Sequence, residues 1–281
     1  MKSLFARSTR CFLVIVSLLA LMASISQPLG VHAQASYWIP PKDIAWQLQW
    51  TNAPITSPVL NAIQMAIIPL YTTDPNNPNA PRDQITDLHA QKIKAVCSLP
   101  AGVVNIVNDP DRSGFTQRMW GKGASYWQDQ RWLDVRNTGV RKLIEARIVY
   151  AISLGCDAIE VQWVDGYIQD TGLPIMYGDQ LAFNRWLATT AHQHGIAIGL
   201  RNDFDQIADL EDWFDFAVAD NCMGTAECAL LAPFTDSGKP VFNVEYTSTS
   251  GEIHICNASA YYGFNTIIKT YGIDASWQKC N

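Results

Sequence analysis

Short apolar segments recur along this chain, separated by stretches with a helical pattern of apolar and polar residues. Eight segments have the length and composition of strands: Trp46–Trp50, Gln64–Leu70, Ile93–Leu99, Ala158–Val164, Ile196–Asn202, Phe216–Asp220, Val241–Tyr246 and Phe264–Ile268. The clearest helical patterns cover Val140–Leu154 and Gly178–His194. Strands that alternate with helices predict an α/β fold with a parallel sheet, and eight such units in one domain favour a (β/α)8 TIM barrel. A doubly wound open sheet is the alternative, although no glycine-rich phosphate loop follows the first strand.

The N-terminus has the pattern of a secretory signal peptide. Lys2, Arg7 and Arg10 precede an apolar run over residues 11–25, and small residues follow around Ala33. The apolar run is shorter than the roughly 20 residues of a membrane-spanning helix. We therefore predict a signal peptide over residues 1–33, a single barrel domain over residues 34–281, and a secreted, extracellular protein without stable membrane insertion.

The charge balance limits the classes of partner. The chain of 281 residues carries 20 basic and 26 acidic residues, and removal of the predicted signal peptide lowers the basic count to 17, for a net charge of −9. This balance disfavours nucleic acid and accommodates a neutral or cationic polymer. The spacing of cysteines and histidines predicts no metal site, and no cofactor motif is present, so we expect neither a metal nor a cofactor. We also expect a monomer.

Six cysteines remain after residue 33, which is typical of disulfides in an oxidising compartment. Cys222 and Cys228 flank a short loop, and a bridge from Cys256 to Cys280 would hold the C-terminal segment. We predict both of these pairs. Cys97 and Cys156 lie in or beside apolar strands, so a third bridge and two buried thiols are both open.

The stretch IEVQWVDGY, residues 159–167, places polar side chains inside a predicted strand. Because side chains alternate along a strand, Ile159, Val161 and Trp163 share one face, and Glu160 and Gln162 share the other. We expect the apolar face to pack on helices and the polar face to point into the barrel. A carboxylate in that position is costly to bury without partners or access to solvent.

Two other predicted strands offer polar groups that alternation turns inward: Arg201, Asp203, Asn243 and Glu245. Polar side chains that converge from several strand ends predict a pocket for a polar ligand. The alternative is a buried network that only fills the barrel, with Arg201 neutralising Glu160. Asp220 shares its parity with Phe216 and Val218, and we expect it to face the pocket only if a bulge or strand end breaks the alternation.

Two long connections follow predicted strands, over Thr72–Pro81 and Pro100–Asn137. In a barrel both would rise on the face where active sites are built. The second connection contains several aromatic residues: Trp120, Tyr126, Trp127 and Trp132. These rings either stack on sugars or pack the loop onto the rim of the barrel.

Motifs along nearly the whole chain resemble glycoside hydrolase family 114. The matching stretches are WQLQW, LHAQKIKAVCSLPAG, RWLDVR, GCDAIEVQWVDGYIQDTGLP, DQLAFNRWL, GLRNDFDQIADL, FDFAVADNCMGTAEC and GKPVFNVEY. Characterised members of that family are secreted endo-α-1,4-polygalactosaminidases with a TIM-barrel fold. The resemblance therefore implies hydrolysis of a galactosamine-containing polysaccharide by carboxylate acid/base chemistry.

The chain departs from the family pattern at the presumed catalytic positions. Where the family reads E-P-D-N-V-D-G-Y, this chain has Gln162 in place of the aspartate and Trp163 in place of the asparagine. Where it reads N-E-Q-C, the glutamate has become Asp220. An aspartate run near the second strand is replaced by AIIPLYTT, and an acid after the third strand is replaced by Asn105.

The retained and substituted positions together give a set of candidate site residues. We expect the remaining carboxylates to carry catalysis: Glu160, Asp220 and Glu245. We expect these residues to bind substrate: Trp46, Gln162, Asp165, Tyr167, Arg201, Asn202, Asp203, Asn243 and Tyr246. Glutamine cannot act as acid or base, so three functions stay open: a glycosidase whose acid pair has moved, a secreted carbohydrate-binding protein that has lost the chemistry, and a structural protein without a sugar site.

Overall fold

The computed structural model describes residues 37–50, 54–72, 76–124, 127–246, 251–270 and 278–280, with only the backbone described at residues 127 and 128. All of them belong to one compact unit, Ala35–Asn281. The predicted signal peptide lies outside the described residues and stays a prediction, as does the position of Tyr126. Within the described ranges, no helix has the length and apolar character needed to cross a bilayer.

Eight parallel strands form the central sheet, as the pattern of apolar segments predicted. They are β1 Trp46–Leu48, β2 Met65–Pro69, β3 Lys94–Pro100, β7 Ala158–Gln162, β8 Ala197–Arg201, β9 Phe216–Asp220, β10 Val241–Tyr246 and β11 Asn265–Lys269. They pair in the order β1-β2-β3-β7-β8-β9-β10-β11, and a short antiparallel strand, β12 Gln278–Lys279, extends the sheet beyond β11. The order follows the chain, as in a TIM barrel.

The sheet curls so that its inner face encloses a core of its own. Every parallel strand contributes to one interior cluster: Trp46, Leu48, Met65, Ile67, Val96, Ala158, Ala197, Phe216, Val218, Phe242, Val244 and Ile267. Side chains also link the first strand to the eighth, because the indole of Trp46 donates to the carbonyl of Asn265 at 3.1 Å and Lys269 donates to Gln47 at 3.0 Å. The fold is therefore a TIM-barrel-like α/β fold in a single domain, and the open-sheet alternative is wrong.

Helices cover the outer face of the sheet. Seven are described: α1 Ala80–Ala90, α2 Thr138–Leu154, α3 Tyr177–Gln193, α4 Ile207–Leu210, α5 Cys222–Thr225, α6 Ala232–Asp236 and α7 Glu252–Tyr262. Helix α2 begins where the side chain of Asn137 accepts a hydrogen bond from the amide of Gly139, and it ends at Gly155, whose φ of 97° favours glycine. The apolar faces of α1, α2 and α3 pack with the outward side chains of the strands in a second, larger cluster.

A small antiparallel sheet occupies the segment between β3 and α2, where the sequence predicted a long loop. Its strands are β4 Val103–Asn105, β5 Trp120–Ala124 and β6 Trp127–Leu133, in the order β4-β6-β5. Val103, Ala124 and Trp132 form a separate apolar cluster in this sheet. Since the segment follows the carboxyl end of β3, the small sheet rises on the mouth side of the barrel, where active sites of such barrels are built.

Three disulfides connect the six cysteines of the barrel domain. Cys222–Cys228 and Cys256–Cys280 confirm the two predicted pairs, with Cα–Cα distances of 4.8 and 5.0 Å. Cys97 of β3 pairs with Cys156, just before β7, at 5.8 Å. The third bridge, rather than two buried thiols, is therefore the arrangement in this fold.

Candidate functional site

Glu160 is the deepest carboxylate at the mouth of the barrel. Its side chain lies on the inner face of β7, as predicted, and is fully buried. One oxygen, Oε1, accepts hydrogen bonds from the hydroxyl of Ser98, from the amide of Gln162 at 3.0 Å and from Arg201 at 3.4 Å. Burial raises the pKa of Glu160, and the nearby charge of Arg201 opposes that rise. Among the described residues, the other oxygen, Oε2, has no hydrogen-bond partner.

Gln162 ends β7 and lies beside Glu160 on the same face. Its amide nitrogen donates to Ser98 and to Glu160. An amide can make these bonds without an ionisable proton, whereas a carboxylate here would stand against the carboxylate of Glu160. The side chain therefore acts as a hydrogen-bond donor to Glu160.

Arg201 joins the two carboxylates that face the mouth. Its guanidinium lies 3.4 Å from Glu160 and 2.9 Å from Asp220, and it stacks at 5.2 Å from the centre of the Trp50 ring. Burial disfavours the charge of Arg201, but Glu160 and Asp220 outweigh burial and raise its pKa. The ion pair between Arg201 and Glu160 that we considered as an alternative is thus present, with Asp220 as a third member.

Asp220 ends β9 and points into the mouth without any bulge. We expected it to face the pocket only if a bulge or strand end broke its alternation with Phe216 and Val218, and no such break is needed because Phe216 and Val218 themselves fill the barrel interior. The side chain of Asp220 is 28 % exposed. The hydroxyl of Tyr246 bonds to it, and burial together with Asp220 raises the pKa of Tyr246.

A cavity of about 160 Å³ lies on one flank of this network, over the ends of β2, β3 and β7. Its walls combine aromatic rings with amides and hydroxyl groups: Trp50, Tyr71, Ser98, Asn105, Gln130, Gln162 and Trp163 are among the lining residues. Asp109 also lines it, and burial raises the pKa of this carboxyl against the opposing charge of Arg147. A concave pocket that combines apolar walls with a few polar groups is the usual form of a small-molecule binding site.

Arg147 fixes the wall of the cavity that the small sheet supplies. This α2 residue is buried and bonds to Asp109 at 2.9 Å and to Asp111 at 2.8 Å. It also donates to the carbonyls of Pro100 and Val103 at 2.6 and 3.1 Å. The start and the middle of the β3–α2 connection are therefore held to α2 by one guanidinium.

The predicted inward orientation of Asn243 and Glu245 was wrong. Phe242 and Val244 occupy the barrel interior, so alternation turns Asn243 and Glu245 toward the helices. There Glu245 accepts hydrogen bonds from the backbone amide of Met223 at 2.9 Å and from Asn243 at 3.0 Å. Glu160 and Glu245 thus lie on opposite sides of the barrel wall, and the position of Glu245 does not support the predicted catalytic role.

Asp203 also departs from its predicted orientation. Asn202 and Asp203 both have left-handed backbone, with φ of 55° and 50°, so the alternation that places Arg201 inward does not continue. Asp203 instead accepts a hydrogen bond from Asn184 of α3 at 2.8 Å. Burial and the neighbouring Asp165 raise the pKa of Asp203 to about 9.

The remaining candidates divide between the mouth and the flank. Asn202 stays near the mouth, where its side chain accepts from the backbone amide of Asp220 at 3.0 Å. Asp165 and Tyr167 surround Asp203, and burial raises the pKa of both. Their roles in binding stay predictions, since they belong to the buried network beside α3.

Trp46 does not reach the mouth. It is 2 % exposed, packs edge-on against Phe242 at 5.3 Å and belongs to the interior cluster, so its position does not support a binding role. Trp50, four residues later, lies past the end of β1 and lines the cavity. The same motif, WQLQW, thus provides one tryptophan to the apolar interior of the barrel and one to the cavity at its mouth.

Sequence reasoning missed Ser98, Trp50 and the position of Trp163. Ser98 is a small polar residue within the apolar strand KAVCSLP, which was the available signal. Trp163 was expected on the helix side with Ile159 and Val161. Its φ of 61° breaks the alternation after β7 and places it in the cavity wall, where it contacts Trp132 at 5.5 Å.

One group of possible metal ligands exists among the described residues, and it does not form a metal site. Cys222, Cys228 and Glu245 offer atoms within 4.8 Å of one another. The two sulfurs are bonded to each other, so neither is available as a thiolate ligand. We assign no metal there.

A curled barrel of eight parallel strands with carboxylates at their carboxyl ends is the architecture of TIM-barrel glycoside hydrolases. The model of glycoside-hydrolase family GH114 matches residues 28–281. The chain therefore belongs to this family, which confirms the resemblance seen in its motifs. No curated protein sequence matches the chain at a significant level.

Solved structures support the same assignment. The crystal structure of Aspergillus fumigatus Ega3 in complex with galactosamine is 27% identical, with a TM-score of 0.78 over 86% of this chain and 97% of that one. The glycoside hydrolase domain of PelA from Pseudomonas aeruginosa has a TM-score of 0.62 at 10% identity, over 82% of this chain and 96% of that one. At this low identity, the second similarity concerns the fold alone.

Proposed function

We propose that this protein is a secreted member of the GH114 family that binds galactosamine-containing polysaccharides at the mouth of the barrel, without hydrolysing them at the rates of an enzyme. The ligand class is supported by the family match and by the similarity to Ega3, whose structure contains galactosamine. Three disulfides are consistent with secretion.

The observation that carries the proposal is that both mouth carboxylates share one arginine. Glycosidic cleavage needs one carboxyl group to protonate the leaving oxygen and a second to act as base or nucleophile. Glu160 and Asp220 are both bonded to Arg201, and Gln162, a neighbour of Glu160, stands where the family pattern has an aspartate. Both carboxylates are thus engaged by one guanidinium, and the amide of Gln162 cannot ionise, so this arrangement favours binding over catalysis.

The same groups suit an amino sugar. A protonated amine offers three N–H donors. The partly exposed carboxylate of Asp220 is an acceptor placed to receive them. The acidic net charge of the chain attracts a polycation from a distance, and this contribution weakens with added salt.

Hydrolysis with Glu160 as the acid is the second candidate function. It is favoured by one observation, since burial raises the pKa of Glu160 in the way that a general acid at neutral pH needs. In that case Asp220 would serve as the base, and Glu160→Gln would abolish the reaction.

The test compares binding with turnover in residues 34–281. We expect the native protein to bind α-1,4-linked galactosamine oligomers in a calorimetric titration and to release no new reducing ends above background. The double change Gln162→Asp with Asp220→Glu restores the acid types at both sites and should raise hydrolysis above the native rate. Acid–base catalysis contributes about 10²–10⁴-fold, which sets the size of the expected gain.

Two controls make the result specific. Asp220→Asn should weaken binding of the oligomers, whereas Asp212→Asn, an exposed aspartate before β9 at the other end of the barrel, should not. Cleavage by the native protein at about 1–10³ s⁻¹ would overturn the proposal in favour of the second candidate function.

A further inference from the structure

Trp163 has a backbone conformation that its side chain does not favour. Its φ of 61° lies in the left-handed region, which is an outlier for a bulky residue and is adopted far more readily by glycine or asparagine. Such residues persist where the surroundings impose the conformation, and they cluster at ligand-binding positions.

The surroundings of Trp163 do impose this conformation. The amides of Ala101 and Gly102 both donate to the carbonyl of Gln162, at 3.1 and 3.2 Å. Gly102 also approaches the carbonyl of Trp163 so closely that a Cβ at Gly102 would lie 1.6 Å from that oxygen. The backbone of residues 162–163 is thus held against the turn that follows β3.

The held backbone presents the indole ring to the cavity. Trp132 contacts Trp163 at an interplanar angle of 80°, and either edge-to-face arrangement leaves at least one face of Trp163 uncovered by Trp132. The ring is half-buried and lines the cavity together with polar residues such as Gln162 and Asn105. An aromatic face beside hydrogen-bonding side chains is suited to a ring with one apolar and one polar surface.

The cavity neighbours the part of the mouth that holds Asp220 and Tyr246 but does not include it. Ser98, Gln162 and Trp163 line the cavity on the side of β3 and β7. Asp220 and Tyr246 lie on β9 and β10, and Arg201 and Glu160 connect the two ends. One sugar unit at the carboxylates therefore leaves the cavity for a second unit of the same chain.

We infer that Trp163 forms the stacking surface for a second sugar unit, adjacent to the unit whose amine is held at Asp220. The inference rests on the proposed function and adds to it a binding place for the next unit of the polymer. On this inference, the strained backbone of Trp163 is explained by ligand binding. Asparagine at this position would be less strained but would have no ring to stack on a sugar.

The experiment measures how affinity depends on ligand length. Galactosamine and its α-1,4-linked dimer and trimer are titrated by NMR into the native protein and into Trp163→Asn. The native protein should bind the dimer about ten- to a hundredfold more tightly than the monomer, the size expected from burying an aromatic face. In Trp163→Asn that gain should disappear, while affinity for the monomer stays within about twofold.

Two further variants separate binding from folding. Trp163→Phe keeps a smaller ring and should retain part of the gain. Trp213→Asn makes the same change at an exposed tryptophan before β9, at the opposite end of the barrel, and should leave the gain intact. Circular dichroism checks that each variant is folded.

The possible outcomes are distinct. If Trp163→Asn kept the full preference for the dimer over the monomer, or lost affinity equally for both, the assignment of Trp163 would be overturned and the proposed function would stand. Failure of the native protein to bind any of these ligands would overturn both.

Discussion

At the scale of single residues, the mouth of the barrel combines groups whose ionisation is constrained with one that cannot ionise. Glu160 is buried and bonded to Arg201, and Gln162 donates to it. The amide thus stabilises the ionised form of its neighbour without adding a charge. The result is a hydrogen-bonded network at the mouth that has no acid at position 162.

Asp203 gives a prediction at this scale. Its folded-state pKa of about 9 lies above the value of about 3.9 in an unfolded chain, so folding retains a proton that the unfolded state releases. The stability from this proton is complete below about pH 4 and is lost as the pH rises toward 9. Asparagine cannot ionise, so Asp203→Asn should gain stability relative to the native protein as the pH is raised.

The measurement is urea unfolding at pH 5 and pH 8. The advantage of Asp203→Asn should grow by about 1 kcal/mol or more between the two values. The matched control is Asp170→Asn, the same change at an exposed aspartate paired with Lys122, where the burial that acts on Asp203 is absent. An equal response of the two variants would contradict the raised pKa.

Some of these residue positions were predictable and others were not. Alternation placed Glu160 and Gln162 correctly because β7 has apolar outward neighbours, Ile159 and Val161. It failed at Asp203 and Trp163, because left-handed residues end the alternation there. Asn202 and Asp203 are of the types that enter this region, and that signal was available in the sequence.

At the scale of elements, β10 shows why a strand buried on both faces is hard to orient from sequence. Val241 packs among the outer cluster, while Phe242 and Val244 pack inside the barrel. Apolar residues of both parities therefore occur in VFNVEY, and only the neighbouring strands decide which face is inner. Glu245 consequently supports the start of α5 rather than the site.

The small sheet formed by β4, β5 and β6 depends on Arg147. This residue neutralises Asp109 and Asp111 and satisfies two carbonyls, all within a buried region between α2 and the β3–α2 connection. The guanidinium also lies 5.4 Å from the ring centre of Tyr71 and 5.1 Å from that of Phe115, and these contacts add to the same cluster. The long connection was visible in the sequence, but this interaction with α2 was not.

We predict that Arg147→Met is strongly destabilising. Removal of one partner of a buried ion pair leaves uncompensated charge and typically costs about 3–5 kcal/mol. Arg185→Met, at a half-exposed arginine 3.8 Å from Asp209, should cost no more than about 1 kcal/mol.

Urea unfolding measures both variants. If Arg147→Met does not fold, the triple change with Asp109→Asn and Asp111→Asn should recover folded protein, because it removes the unpaired charges. A loss for Arg147→Met no larger than that for Arg185→Met would contradict the role of this cluster.

At the scale of the whole molecule, the three disulfides close loops of very different length. Cys97 and Cys156 are 59 positions apart, Cys256 and Cys280 are 24 apart, and Cys222 and Cys228 are 6 apart. A bridge limits the unfolded chain more when it closes a longer loop. The bridge that joins β3 to the start of β7 should therefore contribute most.

We predict that paired Cys→Ala replacements follow this order. Chain-entropy estimates give losses of about 4 kcal/mol for Cys97–Cys156, about 3.5 for Cys256–Cys280 and about 2.5 for Cys222–Cys228. Denaturant titration of the three double variants measures the order. A smaller loss of stability for the Cys97–Cys156 pair than for the Cys222–Cys228 pair would show that effects on native packing outweigh loop length.

The fold as a whole was the most predictable level, because eight apolar segments in regular alternation with helices leave few other arrangements. The small sheet was less predictable, since its strands contain charged and glycine residues such as Lys122 and Gly123 and carry little apolar alternation. The candidate site lay between these cases: Glu160, Gln162 and Arg201 do meet at the mouth, whereas the directions of Asp203 and Glu245 depended on tertiary contacts.

The apolar floor of the barrel has a consequence for the path of a long ligand. Phe216, Val218, Phe242 and Trp46 fill the interior below Glu160, so the described residues leave no tunnel through the barrel past the polar layer. On the proposed function, a polysaccharide is therefore not threaded through from one end and is laid across the opening from the side. A polysaccharide of any length, with both ends distant or attached elsewhere, is then as accessible to this protein as a short free fragment.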